Sequence, residues 1–173
     1  MGYPANSNLS GGVYKYKLWN EPHLISYMES HDEERIMYKN ITYGNTNGSQ
    51  NAKNPITALE RTEALAVLML TTPGPKMIWQ FGEVGYDISI DFPCRICNKP
   101  ILWNYFTENS RKRLYDVYKA TIALRKSHPV FTGDNFNYSL NGPVKSLVLN
   151  NNSMNALVAV SYTHLRAHET RIH

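Results

Sequence analysis

The spacing of apolar residues along the chain predicts two long helices. Asn54 and Pro55 suit an N-cap and a first helical residue, and the helix they open runs through residue 70, before the stop at Thr71-Thr72-Pro73-Gly74-Pro75. Its second half is apolar almost all round, as in a helix packed on several sides. Residues 110–126 predict a second, amphipathic helix, because apolar side chains recur there at spacings of three and four: Leu114, Val117, Tyr118 and Ile122.

Shorter apolar runs predict strands in two different arrangements. Residues 24–28 and 76–80 fit buried strands, and the helix between them makes a right-handed parallel crossover unit. Beyond Val130, residues 135–140, 144–150 and 156–160 alternate between apolar and polar positions and are separated by Asn-rich and Gly-Pro turns. Such alternation is typical of an antiparallel sheet, so a domain boundary is expected near Val130.

The segments between these elements are predicted to be loops. Residues 40–54 form a polar loop of Asn, Gly, Ser and Thr, which is a candidate for substrate contact or a plain surface loop. Residues 81–109 read as irregular and contain Cys94 and Cys97, the only two cysteines of the chain. No histidine spacing completes a zinc site around them, so structural cysteines, free or disulfide-bonded, are favoured over a metal or redox centre.

Composition and charge narrow the class of protein. The chain has 173 residues, of which 42% are hydrophobic, as in an ordinary globular protein. Its net charge of +4 is spread along the sequence, and the only basic run, at residues 111–113, is interpreted as a solvated helix start, so no nucleic-acid partner is predicted. The longest apolar run, residues 64–70, is far shorter than the roughly 20 residues of a membrane span, so no membrane partner is predicted.

The chemistry is concentrated in a polar cluster directly after the first predicted strand. Residues 27–35 read Tyr-Met-Glu-Ser-His-Asp-Glu-Glu-Arg. In parallel α/β folds ligands bind beyond the carboxyl ends of the strands, which is where His31 and Asp32 would lie. From these residues alone, the pair is either catalytic or a helix-capping Asp beside a surface His.

Four motifs in this order resemble the α-amylase family of glycoside hydrolases, with bacterial α-amylases the most similar. They cover residues 12–160 and comprise residues 27–35, residues 73–86 (Pro-Gly-Pro-Lys-Met-Ile-Trp-Gln-Phe-Gly-Glu-Val-Gly-Tyr), residues 99–105 (Lys-Pro-Ile-Leu-Trp-Asn-Tyr) and residues 124–129 (Leu-Arg-Lys-Ser-His-Pro). The resemblance implies an α/β fold: the C-terminal part of a (β/α)8 TIM barrel, strands 7 and 8 with their helices, in residues 1–130. Residues 131–160 would begin an antiparallel β-sandwich domain.

The resemblance also implies roles for individual residues. Asp32 would be the catalytic carboxylate that stabilises the transition state, and His31 would bind the sugar. Glu29 and Arg35 would orient this pair or else form a surface ion pair. The nucleophile and the general acid would lie outside this chain. No cofactor is expected in the segment, and the family's calcium ligands, if the longer parent protein has them, would lie mostly outside it. Glu83 is expected to be structural, and Trp79, Tyr86 and Trp103 would either stack on sugar rings or pack in the barrel wall.

The expected activity is retaining hydrolysis of α-1,4-glucosidic bonds in starch or glycogen by a longer parent enzyme, with the 173-residue segment inactive alone. The alternatives are a 1,4-α-glucan branching enzyme or another transglycosylase of the family, and a non-catalytic carbohydrate-binding homologue. The cellular compartment and the oligomeric state stay open. Residues 161–173 break the strand pattern and miss the zinc-protease spacing of histidines by one position; they are interpreted as a tail that is not native protein.

Overall fold

A computed structural model of the chain describes residues 7–46 and 51–161. The helices are α1 (Ile36–Tyr43), α2 (Pro55–Thr71) and α3 (Asn109–Ser127). The strands are β1 (Ser26–Tyr27), β2 (Lys76–Met77), β3 (Phe136–Ser139), β4 (Val144–Asn150) and β5 (Asn155–Ser161). The predicted tail from residue 162 onward lies outside the described residues, whereas Ser161, its first residue, belongs to β5 and pairs with Val144.

Helix α2 begins and ends close to the predicted positions. The side chain of Asn54 accepts hydrogen bonds from the backbone N–H groups of Ile56 and Thr57, at 2.9 and 3.3 Å, which satisfies two donors of the first turn. At the other end, Arg125 of α3 donates to the carbonyl oxygens of Leu70, Thr72 and Gly74. The guanidinium of Arg125 therefore fastens the end of α2 to α3.

The three helices pack around one apolar cluster. Its buried members are Met37, Ala58, Leu59, Ala66, Met69, Leu70, Leu114 and Tyr118. Burying large aliphatic and aromatic side chains stabilises such a cluster by roughly 1.5 to 3 kcal/mol for each one. The amphipathic patterns of α2 and α3 are thus explained by their contact with each other and with α1.

Helix α1 corrects the prediction of a loop over residues 40–54, because residues 40–43 are helical. Arg35, the residue at its N-cap position, makes no capping hydrogen bond with its side chain. Instead, the N–H of Ile36 donates to the carboxylate of Glu29 at 2.8 Å. The start signal therefore comes from seven residues upstream, where local sequence patterns do not reveal it.

Strands β1 and β2 pair in parallel, in the register Ser26↔Lys76 and Tyr27↔Met77, with α2 as part of the connection. The predicted strands at 24–28 and 76–80 therefore shorten to two residues each. Within the described residues β1 and β2 pair only with each other. Ile25, just before β1, and Ile78, just after β2, are exposed. The chain then turns at Phe81, which adopts a left-handed conformation with φ 59°. The parallel arrangement agrees with a segment of a TIM-barrel enzyme, and the assignment to barrel strands 7 and 8 stays a prediction.

The C-terminal runs form the expected antiparallel sheet, in the order β3-β4-β5. Alternating residues of each strand face a second core, among them Phe136, Leu147, Leu149, Val158 and Val160. This core also takes in Val13 and Tyr14 from the N-terminal part and Leu68 from α2. The sheet is thus packed against the helical part, and the domain boundary near Val130 stays a prediction.

In the basic run at residues 111–113, Lys112 and Arg113 are exposed, as expected of a solvated helix start, whereas Arg111 differs from that interpretation. Arg111 is buried, and its guanidinium pairs with Asp87 at 2.8 Å and with Glu108 at 2.8 Å while lying 3.7 Å above the ring of Tyr105. It also donates to the backbone carbonyl of Val84 at 3.2 Å. Arg111 thereby ties the irregular segment after β2 to the first turn of α3.

Candidate active site

The His31–Asp32 pair lies beyond the carboxyl end of β1. The Nε2 atom of His31 is 3.5 Å from Oδ2 of Asp32, and the two side chains are 70% and 74% exposed. The ring of His31 lies 5.5 Å from that of Trp79, which follows β2. Because β1 and β2 are parallel, the polar residues after both strands meet at one end of the pair.

The backbone of Asp32 is fixed from two sides. Its N–H donates to Oγ of Ser30 at 3.1 Å, and its carbonyl oxygen accepts from Nη2 of Arg95 at 2.8 Å. Ser30 in turn donates to the carboxylate of Glu33. These contacts leave the carboxylate of Asp32 facing solvent while its main chain is held in place.

Glu29 and Arg35 form a buried ion pair, so their interpretation as a surface pair is wrong. Nη2 of Arg35 lies 2.7 Å from Oε1 of Glu29, and the side chains are only 4% and 9% exposed. The same Nη2 donates to the carbonyl of Gln80 at 2.6 Å, which joins the segment after β1 to the segment after β2. Burial raises the pKa of Glu29, although the Arg35 charge and the hydrogen bond from Ile36 oppose the shift.

Gly82 shows how closely the second segment approaches this pair. A Cβ at position 82 would lie 2.8 Å from Oε1 of Glu29, nearer than real Cβ contacts allow. Only glycine fits at this position without displacing the carboxylate. Glu83, the next residue, is half-buried in the short 3-10 helix Gly82–Val84 and lies outside the cavity around Asp32, and its structural role stays a prediction.

A loop over residues 89–99 forms a wall beside the His31–Asp32 pair. Glu34 anchors its start by accepting from Oγ of Ser89 at 2.7 Å and from N–H of Ile90 at 2.8 Å. Lys99 closes it by donating to the carbonyls of Ile90, Phe92 and Cys94. Cys94 and Cys97 are joined by a disulfide, which resolves the choice between free and bonded cysteines that the sequence left open.

The two segments and the loop enclose a cavity of about 320 Å³. Its lining includes His31, Asp32, Arg35, Trp79, Tyr86 and Arg95. A carboxylate, an imidazole and a guanidinium beside an indole can bind a polyhydroxylated ligand, because the polar groups exchange hydrogen bonds with hydroxyls and the indole offers an apolar face.

A larger groove of about 670 Å³ lies between the segment after β2 and α3. It contains Glu83, Trp103, Tyr115 and Lys126 but neither His31 nor Asp32. The smaller cavity is the candidate site, because its exposed carboxylate and neighbouring imidazole can accept and donate hydrogen bonds or protons at a bound ligand. The volume of the larger groove does not outweigh this chemistry.

The three aromatic residues considered for sugar stacking have different environments. Tyr86 is buried: its ring stacks on Phe81 with centroids 5.8 Å apart, and its hydroxyl donates to the carbonyl of Pro100 at 2.8 Å. Trp103 is exposed but lies in the larger groove. Only Trp79 combines partial exposure with contact to the His31–Asp32 pair.

Sequence analysis singled out the His31–Asp32 pair and named Glu29 and Arg35 beside it without predicting their burial, and it missed Arg95. The reason is separation, since Arg95 lies 63 positions from Asp32 and no spacing rule relates the two. The Cys-Arg-Ile-Cys pattern was the one sequence signal for Arg95, because a short loop closed by a disulfide leaves the side chains between the cysteines exposed at the surface.

Within residues 7–46 and 51–161, no group of three or more His, Cys, Asp or Glu side chains is arranged to hold a metal ion. In the same part of the chain no helix has both the length and the apolar character needed to cross a membrane.

The chain matches no family model and no curated protein significantly, but it is similar to solved structures of the α-amylase family. It is 18% identical to the debranching enzyme of Nostoc punctiforme, with a TM-score of 0.55 over 81% of this chain and 24% of that one. It is 22% identical to the cyclic alpha-maltosyl-(1→6)-maltose hydrolase of Arthrobacter globiformis, with a TM-score of 0.55 over 79% of this chain and 27% of that one.

A third similar structure, Amy13B of Eubacterium rectale, is 15% identical with a TM-score of 0.55, over 79% of this chain and 29% of that one. The resemblance to the α-amylase family is thus confirmed at the level of the fold. The chain spans about a quarter of the length of the structures it matches.

Proposed function

We propose that this chain is the part of an α-amylase-like glycoside hydrolase that supplies the transition-state-stabilising carboxylate, Asp32, and a sugar-binding imidazole, His31. The reaction is retaining hydrolysis of α-1,4-glucosidic bonds in starch or glycogen. The observation that carries the proposal is the exposed His31–Asp32 pair beyond a parallel strand, in a chain with the fold of glycoside hydrolases.

The chemistry gives each residue a distinct task. Retaining cleavage needs a carboxylate nucleophile and a carboxylic acid, and passes through a transition state with positive charge on the sugar ring. In this proposal those two groups lie outside the 173 residues. Asp32 adds a negative charge that favours the developing positive charge and accepts hydrogen bonds from sugar hydroxyls. His31 donates to a hydroxyl of the same sugar, and Trp79 offers its face beside it.

The buried Glu29–Arg35 pair acts through position and does not touch the sugar. It fastens the start of α1 and the carbonyl of Gln80 to the same guanidinium-carboxylate unit. The carboxylate of Asp32 must contact a sugar ring that distorts during the reaction. Fixed surroundings help it to do so, because small displacements of a catalytic group lower the reaction rate. In this scheme β1 and β2 are barrel strands 7 and 8, and β3, β4 and β5 begin the β-sandwich domain.

The test uses the full-length protein, meaning the product of the complete reading frame to which these residues belong. It is incubated with amylose and glycogen, and new reducing ends are counted. Cyclic alpha-maltosyl-(1→6)-maltose is included, because one similar structure is named as its hydrolase and another as a debranching enzyme. Hydrolysis of amylose with the α configuration retained is the expected result.

Two outcomes would replace the proposal. New α-1,6 branch points in amylose without a net gain of reducing ends would assign the protein to the branching transferases. Binding of amylose with no bond cleavage would assign it to non-catalytic carbohydrate-binding homologues. The 173-residue segment alone is the matched control, and it should be inert because it lacks the nucleophile and the acid of the proposed mechanism.

A further inference from the structure

The loop over residues 89–99 is held in place mainly by polar contacts and a disulfide. Phe92 and Ile96 are exposed, the latter by 96%, so little apolar burial holds the middle of the loop in place. Its order depends instead on the Glu34 anchor at its start, the Lys99 contacts with three carbonyls, and the Cys94–Cys97 disulfide. The disulfide is the covalent element of this set.

Arg95 is the residue that this construction presents to the site. It lies between the two cysteines, and its guanidinium extends back from the loop to the carbonyl oxygen of Asp32 at 2.8 Å. Its guanidinium also pairs with the carboxylate of Asp91, at 3.4 Å between largely exposed side chains, and this ion pair contributes little by itself. The contact with Asp32 is thus the one by which the loop acts on the proposed catalytic carboxylate.

The disulfide is also accessible from solvent. Cys97 is an exposed residue and Cys94 is partly exposed. A disulfide near the surface that encloses only two residues can be attacked by an external thiolate, in contrast to one sealed in a core.

We propose that Cys94 and Cys97 form a thiol–disulfide exchange site for a dithiol reductant, and that its oxidation state sets how firmly Arg95 holds the backbone of Asp32. A thiolate of the reductant attacks Sγ of Cys97, and the Cys94 thiolate leaves. The second thiol of the reductant then displaces Cys97, so the reductant ends as its own disulfide. Two electrons and two protons pass to the protein, which ends with two thiols.

Opening the disulfide removes the covalent closure around Arg95, and the loop gains conformational freedom that it must lose again to contact Asp32. In the oxidised form Arg95 is a positioning residue for Asp32. In the reduced form the same side chain samples positions away from the Asp32 carbonyl. The effect on catalysis rests on the proposed function, whereas the effect on the backbone does not.

Hydrogen exchange of the full-length protein tests the structural half. The probe is dithiothreitol, and the peptides followed by mass spectrometry cover residues 29–36 and 89–98. Reduction is expected to speed exchange in both peptides. The Cys94→Ser, Cys97→Ser double variant should exchange as fast as the reduced protein and should not respond to dithiothreitol, which excludes effects from any other disulfide.

Arg95→Gln identifies the connection between the two segments. It should speed exchange in residues 29–36 even in the oxidised protein and remove the further response of that peptide to reduction. Lys112→Gln is the matched control, because it also breaks an exposed i,i+4 ion pair, with Asp116 at 2.7 Å, but lies outside the cavity. Unchanged exchange in residues 29–36 after verified reduction would overturn the inference.

Kinetics of the oxidised and reduced enzyme test the catalytic half. Reduction should lower kcat by roughly tenfold with a smaller change in KM, since misplacement of a transition-state group acts mainly on the chemical step. Arg95→Gln should give the same change, and Arg95→Lys should recover part of it because an ammonium can still donate to the Asp32 carbonyl. An equal kcat in both oxidation states would refute the catalytic role. A protein inactive on every glucan would refute the proposed function and leave the exchange result to decide the structural half.

Discussion

The end of the β1–β2 pair and the β3-β4-β5 sheet are held together by opposite means. At the strand ends, a buried ion pair, a carboxylate that starts a helix and a disulfide-closed loop fix the chain. In the sheet, the chain is fixed by continuous antiparallel pairing and by buried side chains such as Leu147 and Leu149. The first region keeps His31 and Asp32 exposed, whereas the second contributes none of the residues that line the cavity.

The difference agrees with the role proposed for the first region. Apolar packing gives stability without direction, because hydrophobic contact is roughly proportional to buried area. Polar contacts give direction at a cost in desolvation, since a buried charge must be paired to remain tolerable. A region that must aim a carboxylate at a ligand is therefore expected to use polar contacts, and to be more sensitive to the loss of one of them.

The largest expected effect is on the buried ion pair. Arg35→Leu leaves the carboxylate of Glu29 buried without its cation and removes the hydrogen bond to the Gln80 carbonyl. The free energy of unfolding should fall by roughly 3 to 5 kcal/mol, as for other broken buried pairs. Urea unfolding of the full-length protein measures it.

The matched control is Lys112→Leu, which removes the cation of the exposed pair with Asp116. This change should cost less than about 1 kcal/mol. If both variants lost the same free energy of unfolding, the buried ion pair at the strand ends would stabilise the fold no more than a surface pair does.

In the sheet, Leu147→Ala should be costly for stability and neutral for catalysis. Leu147 is fully buried, so its truncation should lower the free energy of unfolding by roughly 2 to 5 kcal/mol through lost burial and the cavity left behind. Its kcat on amylose should stay at the parent value at temperatures where the variant is folded. Val148→Ala, at an exposed position of the same strand, is the control and should change stability much less. A large loss of kcat in Leu147→Ala would show that the two regions are coupled.

The same contrast explains how much the sequence could predict. Helices α2 and α3 and the antiparallel strands follow from local periodicity and from caps such as Asn54. Helix α1 was missed because its first N–H is satisfied by Glu29, and the strands at 24–28 and 76–80 were predicted too long because pairing depends on partners elsewhere in the chain. The His31–Asp32 pair was identified from its motif. The wall formed by residues 89–99 was not, since its contacts with Glu34 and Asp32 span more than fifty positions.

A smaller effect in free energy, but the most direct test of the site, is Asp32→Asn. The side chain is exposed and its backbone makes the anchoring contacts, so folding should be nearly unchanged. Loss of the charge should lower kcat more than 100-fold, which corresponds to roughly 3 kcal/mol in the activation barrier. Asp116→Asn, an exposed carboxylate away from the cavity, serves as the control. Steady-state kinetics of Asp32→Asn within tenfold of the parent would remove Asp32 from the catalytic set.

The last expected effect is a pH dependence that arises from Lys76, at the start of β2. Its ammonium lies among the carbonyls of Pro73, Gly74 and Pro75, and Gly74 also accepts from the guanidinium of Arg125. Burial, followed by repulsion from Arg125, lowers the pKa of Lys76 to about 7. The unfolded chain, with an ordinary lysine pKa of about 10.4, binds more protons between these values, so stability should rise as pH increases from about 7 toward 10.

Lys76→Met should flatten that rise in urea unfolding at pH 7 and 9, whereas the exposed Lys119→Met should keep it. An equal rise in Lys76→Met and the parent would show that the Lys76 ammonium stays charged in the fold, held by its three carbonyls.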